Sequence, residues 1–116
     1  MPGTCARGSV LEVNLDPSIG SEAKKTRPCV VIQNDIGNRY SPITIVAAIT
    51  GAENVPKKYP VDVPVPRGEG GLSKASVVQC NQIRSVDEAR LVRTLGRLSP
   101  ATMEKIDKAL RISLAL

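Results

Sequence analysis

Val10, Leu11, Val13 and Leu15 are interrupted by Glu12 and Asn14, the alternation of a half-buried strand, and Asp16-Pro17 marks a turn at its end. Residues 18–27 are polar and read as a loop. Cys29-Val30-Val31-Ile32 is a short unbroken apolar run, which predicts a strand buried in the centre of a sheet. Asn34 to Asn38 reads as a connecting turn. Ile43 to Ile49, rich in β-branched residues, reads as the next strand.

Between Gly51 and Gly71 the pattern shifts to Pro, Gly and charge, with Val61, Val63 and Val65 alternating inside it. Proline cannot donate to a ladder, so Pro60, Pro64 and Pro66 confine that strand to a sheet edge. Ala75 to Cys80 returns to a core strand that continues through Arg84. Ser85-x-x-Glu88 has the form of a capping box and predicts a short helix through Leu95. Ser99 as N-cap and Pro100 at the first helical position open a final helix. On it Met103, Ile106, Leu110 and Leu114 form one apolar stripe, read as core packing. Strands first and a helix last predict one domain, residues 1–116, of mainly β structure with helices (α+β): a small barrel with helical decoration.

Composition narrows the chemistry. Only 2% of residues are aromatic, two Tyr with no Phe or Trp, so the core must be built from aliphatic side chains. Base stacking has only Tyr40 and Tyr59 to work with, and any nucleic-acid contact must rest on charge and hydrogen bonds. Histidine is absent, which removes the commonest general acid/base and the commonest transition-metal ligand. Cys5, Cys29 and Cys80 are widely spaced and odd in number, which predicts reduced thiols, with Cys29 and Cys80 buried as small apolar residues. A net charge of +5 favours a polyanion or an acidic protein as partner. No segment reaches the length of a membrane span, and the reading is of a soluble, cytoplasmic protein.

Gly20-Ser21-Glu22, Arg27-Pro28 and Thr50 place a carboxylate, a guanidinium and a hydroxyl at loop or strand-end positions. Taken by themselves they leave plain alternatives open: a surface charge before a proline, a β-former at a strand end, a solvated loop.

Arg7-Gly8-Ser9-Val10, Gly20-Ser21-Glu22, Arg27-Pro28, Val31-Ile32-Gln33-Asn34-Asp35, Ala48-Ile49-Thr50 and Gln82-Ile83-Arg84-Ser85-Val86-Asp87, in that order and spacing, resemble the MazF/PemK toxins. The run from Ile32 to Pro42 and the ending Ala109 to Leu116 look most like the Gram-positive type. The resemblance implies an SH3-like barrel of five to seven strands with a C-terminal helix, acting as a homodimer. It implies the toxin of a type II toxin-antitoxin pair, a ribosome-independent endoribonuclease (mRNA interferase) that cleaves single-stranded RNA without a metal or other cofactor. It further implies a short ACA-containing target, UACAU in the Gram-positive type, with growth arrest as the cellular effect.

Arg27 and Thr50 match the family's catalytic arginine and threonine, and Glu22 is the nearby carboxylate that could act as base, a role that varies within the family. Ser21, Asn81 and Gln82 stand where family members contact RNA, although many relatives are acidic where this chain has Asn81 and carry glutamine where it has Ala23. Lys24, Lys25, Lys57 and Lys58 could track phosphates or simply form a solvated surface. The implied partner is a MazE-like antitoxin with an acidic C-terminal segment, and DNA is approached only through that complex. The rival reading is a non-catalytic gyrase poison or regulatory binding protein on the same fold. Gyrase-directed relatives depend on a tryptophan near the C-terminus, and this chain has none.

Overall fold

The computed structural model describes residues 5–15 and 26–116. Six strands, β1 (Ser9–Asn14), β2 (Thr26–Val31), β3 (Ile43–Gly51), β4 (Asp62–Val65), β5 (Ser76–Asp87) and β6 (Leu91–Arg97), form one antiparallel sheet in the order β4-β5-β3-β2-β1-β6. Helix α1 (Asp35–Tyr40) links β2 to β3, and α2 (Pro100–Leu114) follows β6. The proline-bearing strand lies at the sheet edge, as its sequence requires.

The two edges are brought together by a short 3-10 turn, Glu69–Gly71, which follows β4 and packs on β6. The fit is between backbones: a Cβ on Gly96 would collide with Gly70, and one on Gly71 with the Leu95 carbonyl. Gly71 also takes a φ of 75°, a left-handed conformation that glycine adopts without a Cβ penalty. This contact turns the sheet into a small barrel.

Alternation divides the apolar residues into two clusters. One gathers Val10, Val30, Ile49, Val78 and Leu98 with Ile106 and Ala109 of α2; the other gathers Leu11, Val13, Cys29, Val31, Val46 and Val86. Cys5, Cys29 and Cys80 are all buried and free. Burial pushes the thiols of Cys29 and Cys80 up to about 11, against a smaller opposing pull from Arg84 and Arg27 on Cys29.

Three expectations need correction. Residues 85–95 are not helical: β5 runs on to Asp87, a 3-10 turn spans Glu88–Arg90, and β6 begins at Leu91. Pairing decides this, with Ser85 opposite Ile45 and Thr94 opposite Leu11, while Val86 fills the second cluster. The cap that does form is made by Asp87, whose carboxylate accepts the Ala89 N–H at 2.9 Å. Asn34 to Asn38 is not a turn alone but the start of α1, with Asn34 Oδ1 accepting the Gly37 N–H at 2.8 Å. In α2, Ser99 and Pro100 open the helix as expected, but Leu114 is 53% exposed. The core face is Thr102, Ile106 and Ala109, flanked by Met103 and Leu110.

Among the described residues no helix is long and apolar enough to cross a membrane.

Candidate functional site

Arg27 lies on β2 and Thr50 on β3. The strands pair antiparallel with Cys29 opposite Ala48 as the last pair of the ladder, and Arg27 and Thr50 each lie two residues beyond it, toward the same end of the two strands. Their strands continue into the sheet core through Val30, Val31 and Val46, each at most 1% exposed. Two polar groups at the ends of strands anchored this firmly have little freedom to drift, a favourable support for a catalytic pair.

Both residues line a cleft of about 580 Å³ at this end of the barrel, together with Glu12, Asn54, Lys74 and Arg93. The cleft therefore collects three cations and one carboxylate. Arg93 is committed to Glu12, with Nε at 2.8 Å and Nη2 at 2.7 Å from the same carboxylate oxygen. Lys74 is paired with Glu53 at 2.6 Å, which holds the Glu53 carboxyl below its usual range. Arg27 is exposed and has no acidic partner among the described residues, and its forked donors suit an external anion. The Thr50 hydroxyl accepts from Asn54 Nδ2 at 3.0 Å.

The remaining sequence candidates stand apart from this cleft. Asn81 and Gln82 are exposed on β5, where the ladder jumps from Ala47 opposite Ile83 to Ala48 opposite Gln79. The residues between, Cys80 to Gln82, form a bulge two positions along β3 from Thr50, a feature that re-aims side chains and is frequent beside active sites. Neither amide lines the cleft. Lys57 is exposed and sits 5.6 Å from the centre of the Tyr59 ring, also outside the cleft. Ser21, Glu22, Lys24 and Lys25 lie outside the described residues.

Sequence reasoning missed Glu12, Asn54, Lys74 and Arg93. Glu12 carried a weak signal as the polar residue alternating with Leu11 and Val13, and Arg93 was hidden inside the stretch read as helix. Asn54 offered only its place four residues after Thr50.

Fold and cleft together define the class: a small antiparallel barrel with a cationic, hydroxyl-bearing cleft at adjacent strand ends. The family model of the PemK-like, MazF-like toxins of type II toxin-antitoxin systems matches residues 6–114, and the chain belongs to that family. Endoribonuclease EndoA of Bacillus subtilis (strain 168) is 46% identical over 110 residues, covering 95% of this chain and 94% of that protein.

Among solved structures, an endoribonuclease from a mycobacterial species in complex with its cognate antitoxin has a TM-score of 0.79 at 24% identity, covering 96% of this chain and 95% of its own. MazF from Deinococcus radiodurans has a TM-score of 0.75 at 22% identity, covering 96% of each chain. These two share the fold.

Proposed function

We propose that this toxin is an endoribonuclease that cleaves single-stranded RNA at a short sequence, with Arg27 and Thr50 at the scissile phosphate. The observation that carries this reading is an exposed guanidinium, without an acidic partner among the described residues, and a hydroxyl that line one cationic cleft from adjoining strands. The relationship to EndoA of Bacillus subtilis supports it.

RNA supplies its own nucleophile. The 2′-oxygen forms a bond to the adjacent phosphorus, the bond from phosphorus to the 5′-oxygen breaks, and a 2′,3′-cyclic phosphate and a 5′-hydroxyl result. One proton leaves the 2′-hydroxyl and one is delivered to the 5′-oxygen, while negative charge grows on the non-bridging oxygens. Arg27 answers that charge with two parallel N–H donors. It acts as a cation rather than a proton carrier, since arginine stays protonated in proteins. Thr50 donates to a phosphate oxygen or orients the attacking sugar. Glu22 is the carboxylate assigned to proton removal, and Glu22→Gln tests that assignment. Neither histidine nor a metal is needed for these steps.

Ser21, Asn81 and Gln82 are assigned to the bases of an ACA-containing site, since amide and hydroxyl groups can read unpaired base edges. Lys24, Lys25 and Lys57 follow the backbone. The active form is assigned as a homodimer, inhibited by an acidic segment of a MazE-like antitoxin on the same cationic surface, with DNA engaged only through that complex. The solved mycobacterial toxin bound to its antitoxin gives the inhibitory partner a precedent within the fold.

The test is to incubate the purified protein with a long RNA and a matched single-stranded DNA in EDTA and to sequence the cut ends. Cleavage of RNA alone, leaving 5′-hydroxyl ends at one recurring motif, is expected. Cleavage of DNA as well, or a strict need for added metal, would overturn the mechanism, and cut sites lacking an ACA core would overturn the target assignment.

A further inference from the structure

The geometry points to Asn54 as a positioning residue that aims the Thr50 hydroxyl proton into the cleft. The inference deepens the endoribonuclease reading above and rests on it.

A threonine hydroxyl has one proton to donate and lone pairs to accept with. Asn54 Nδ2 donates to Thr50 Oγ1 at 3.0 Å, so Thr50 is the acceptor in that bond. Among the described residues none accepts the Thr50 proton in return. Within the described residues the proton is left to point toward whatever occupies the cleft, which Asn54 and Thr50 both line. A phosphate oxygen there would meet an aimed donor, with the Asn54 amide polarising the hydroxyl from behind.

Asn54 is exposed, but its turn is held from three sides. The 3-10 turn Ala52–Asn54 follows β3 directly, and the Ala52 N–H donates to the Ala75 carbonyl at 3.0 Å. Val55 is buried just after it, at 9% exposure. Glu53, next to Asn54, pairs with Lys74 of the cleft lining at 2.6 Å. A short side chain on a turn fixed in this way can hold an orientation that a free loop residue could not.

The test compares Asn54→Leu, Asn54→Asp and Thr50→Val in single-site cleavage of an RNA oligonucleotide, after thermal melts show each variant folded. Thr50→Val must first lose cleavage; full activity there sinks the endoribonuclease assignment of Thr50 and this inference with it. Asn54→Leu removes one donor and is expected to lower kcat about tenfold with KM within about twofold of wild type. Asn54→Asp presents a carboxylate that accepts the Thr50 proton and turns it away, so kcat falls about a hundredfold. Its activity relative to wild type then recovers as pH falls toward about 4, where an aspartic acid is protonated.

In the Thr50→Val background, Asn54→Leu is expected to change the residual cleavage by less than about twofold, because the two residues act as a unit. An Asn54→Leu enzyme as active as wild type while Thr50→Val is inactive overturns the inference and leaves the catalytic reading standing. So does an equal loss on adding Asn54→Leu to Thr50→Val, or an Asn54→Asp defect confined to KM.

Discussion

Glu69 holds Ser99 by two hydrogen bonds, accepting the backbone N–H at 3.1 Å and the hydroxyl at 3.2 Å. Ser99 in turn accepts the Thr102 N–H at 3.2 Å as the N-cap of α2. One carboxylate thus joins the turn that closes the barrel to the start of the terminal helix.

Bonding to Thr102 and then to Ser99 holds the Glu69 carboxyl below its usual range. A carboxylate depressed in the folded state stabilises the fold above its unfolded pKa of about 4.3 and loses that contribution as pH falls through the lower folded value. Glu69→Gln is therefore expected to cost about 1 kcal/mol of cap and charge stabilisation at pH 7, read as a lower Tm. The difference from wild type should shrink below about pH 4. Thermal melts across pH check this, and a difference that widens in acid contradicts it.

Asn38 is 2% exposed and fully occupied: Oδ1 accepts from Thr44 Oγ1 at 2.6 Å and Gln33 Nε2 at 3.1 Å, while Nδ2 donates to the Gln33 carbonyl at 3.0 Å. Asn38→Ala strands the Thr44 hydroxyl in a buried site and is expected to cost about 1–3 kcal/mol in urea unfolding. A cost under about 0.5 kcal/mol, the level of an ordinary surface substitution, would contradict the network.

Gly96 packs on Gly70 and Gly71 where the barrel closes. Gly96→Ala adds one methyl group against backbone that cannot swing aside, and a loss of about 1–3 kcal/mol is expected. Equal chemical stability of Gly96→Ala and wild type would show that the closure is loose.

Cys29 and Cys80 carry thiols pushed up to about 11 by burial, so at pH 8 they remain protonated as well as shielded. A soluble thiol reagent at that pH should modify neither in the native protein and both after denaturation, read by mass spectrometry. Rapid native labelling of Cys29 would contradict the burial of the second cluster.

The fold was legible wherever local pattern and tertiary context agreed. Val10 to Leu15, Cys29 to Ile32, Ile43 to Ile49 and the Ser99-Pro100 helix start all carried a period or a cap that the structure keeps. Residues 85–95 were misread because Ser85-x-x-Glu88 imitates a helix start, whereas pairing with β1 and β3 is long-range and leaves little local trace. Arg27 and Thr50 were singled out through family resemblance, and each lies two residues beyond the last β2–β3 pair, on the lining of one cleft. Asn54 was not, because an asparagine four residues after a strand end carries no signal of the bond it makes to Thr50; Glu12 and Arg93 were not, because the β1–β6 pairing that sets them opposite each other is long-range.

The most direct test of the central claim is single-turnover cleavage of an RNA oligonucleotide in EDTA by wild type, Arg27→Ala and Arg27→Lys, with folding checked by thermal melts. Arg27→Ala should reduce the cleavage rate by about a hundredfold or more, and Arg27→Lys should recover only part of it, because a point charge cannot replace two parallel donors. A folded Arg27→Ala that cleaves at the wild-type rate would contradict the account.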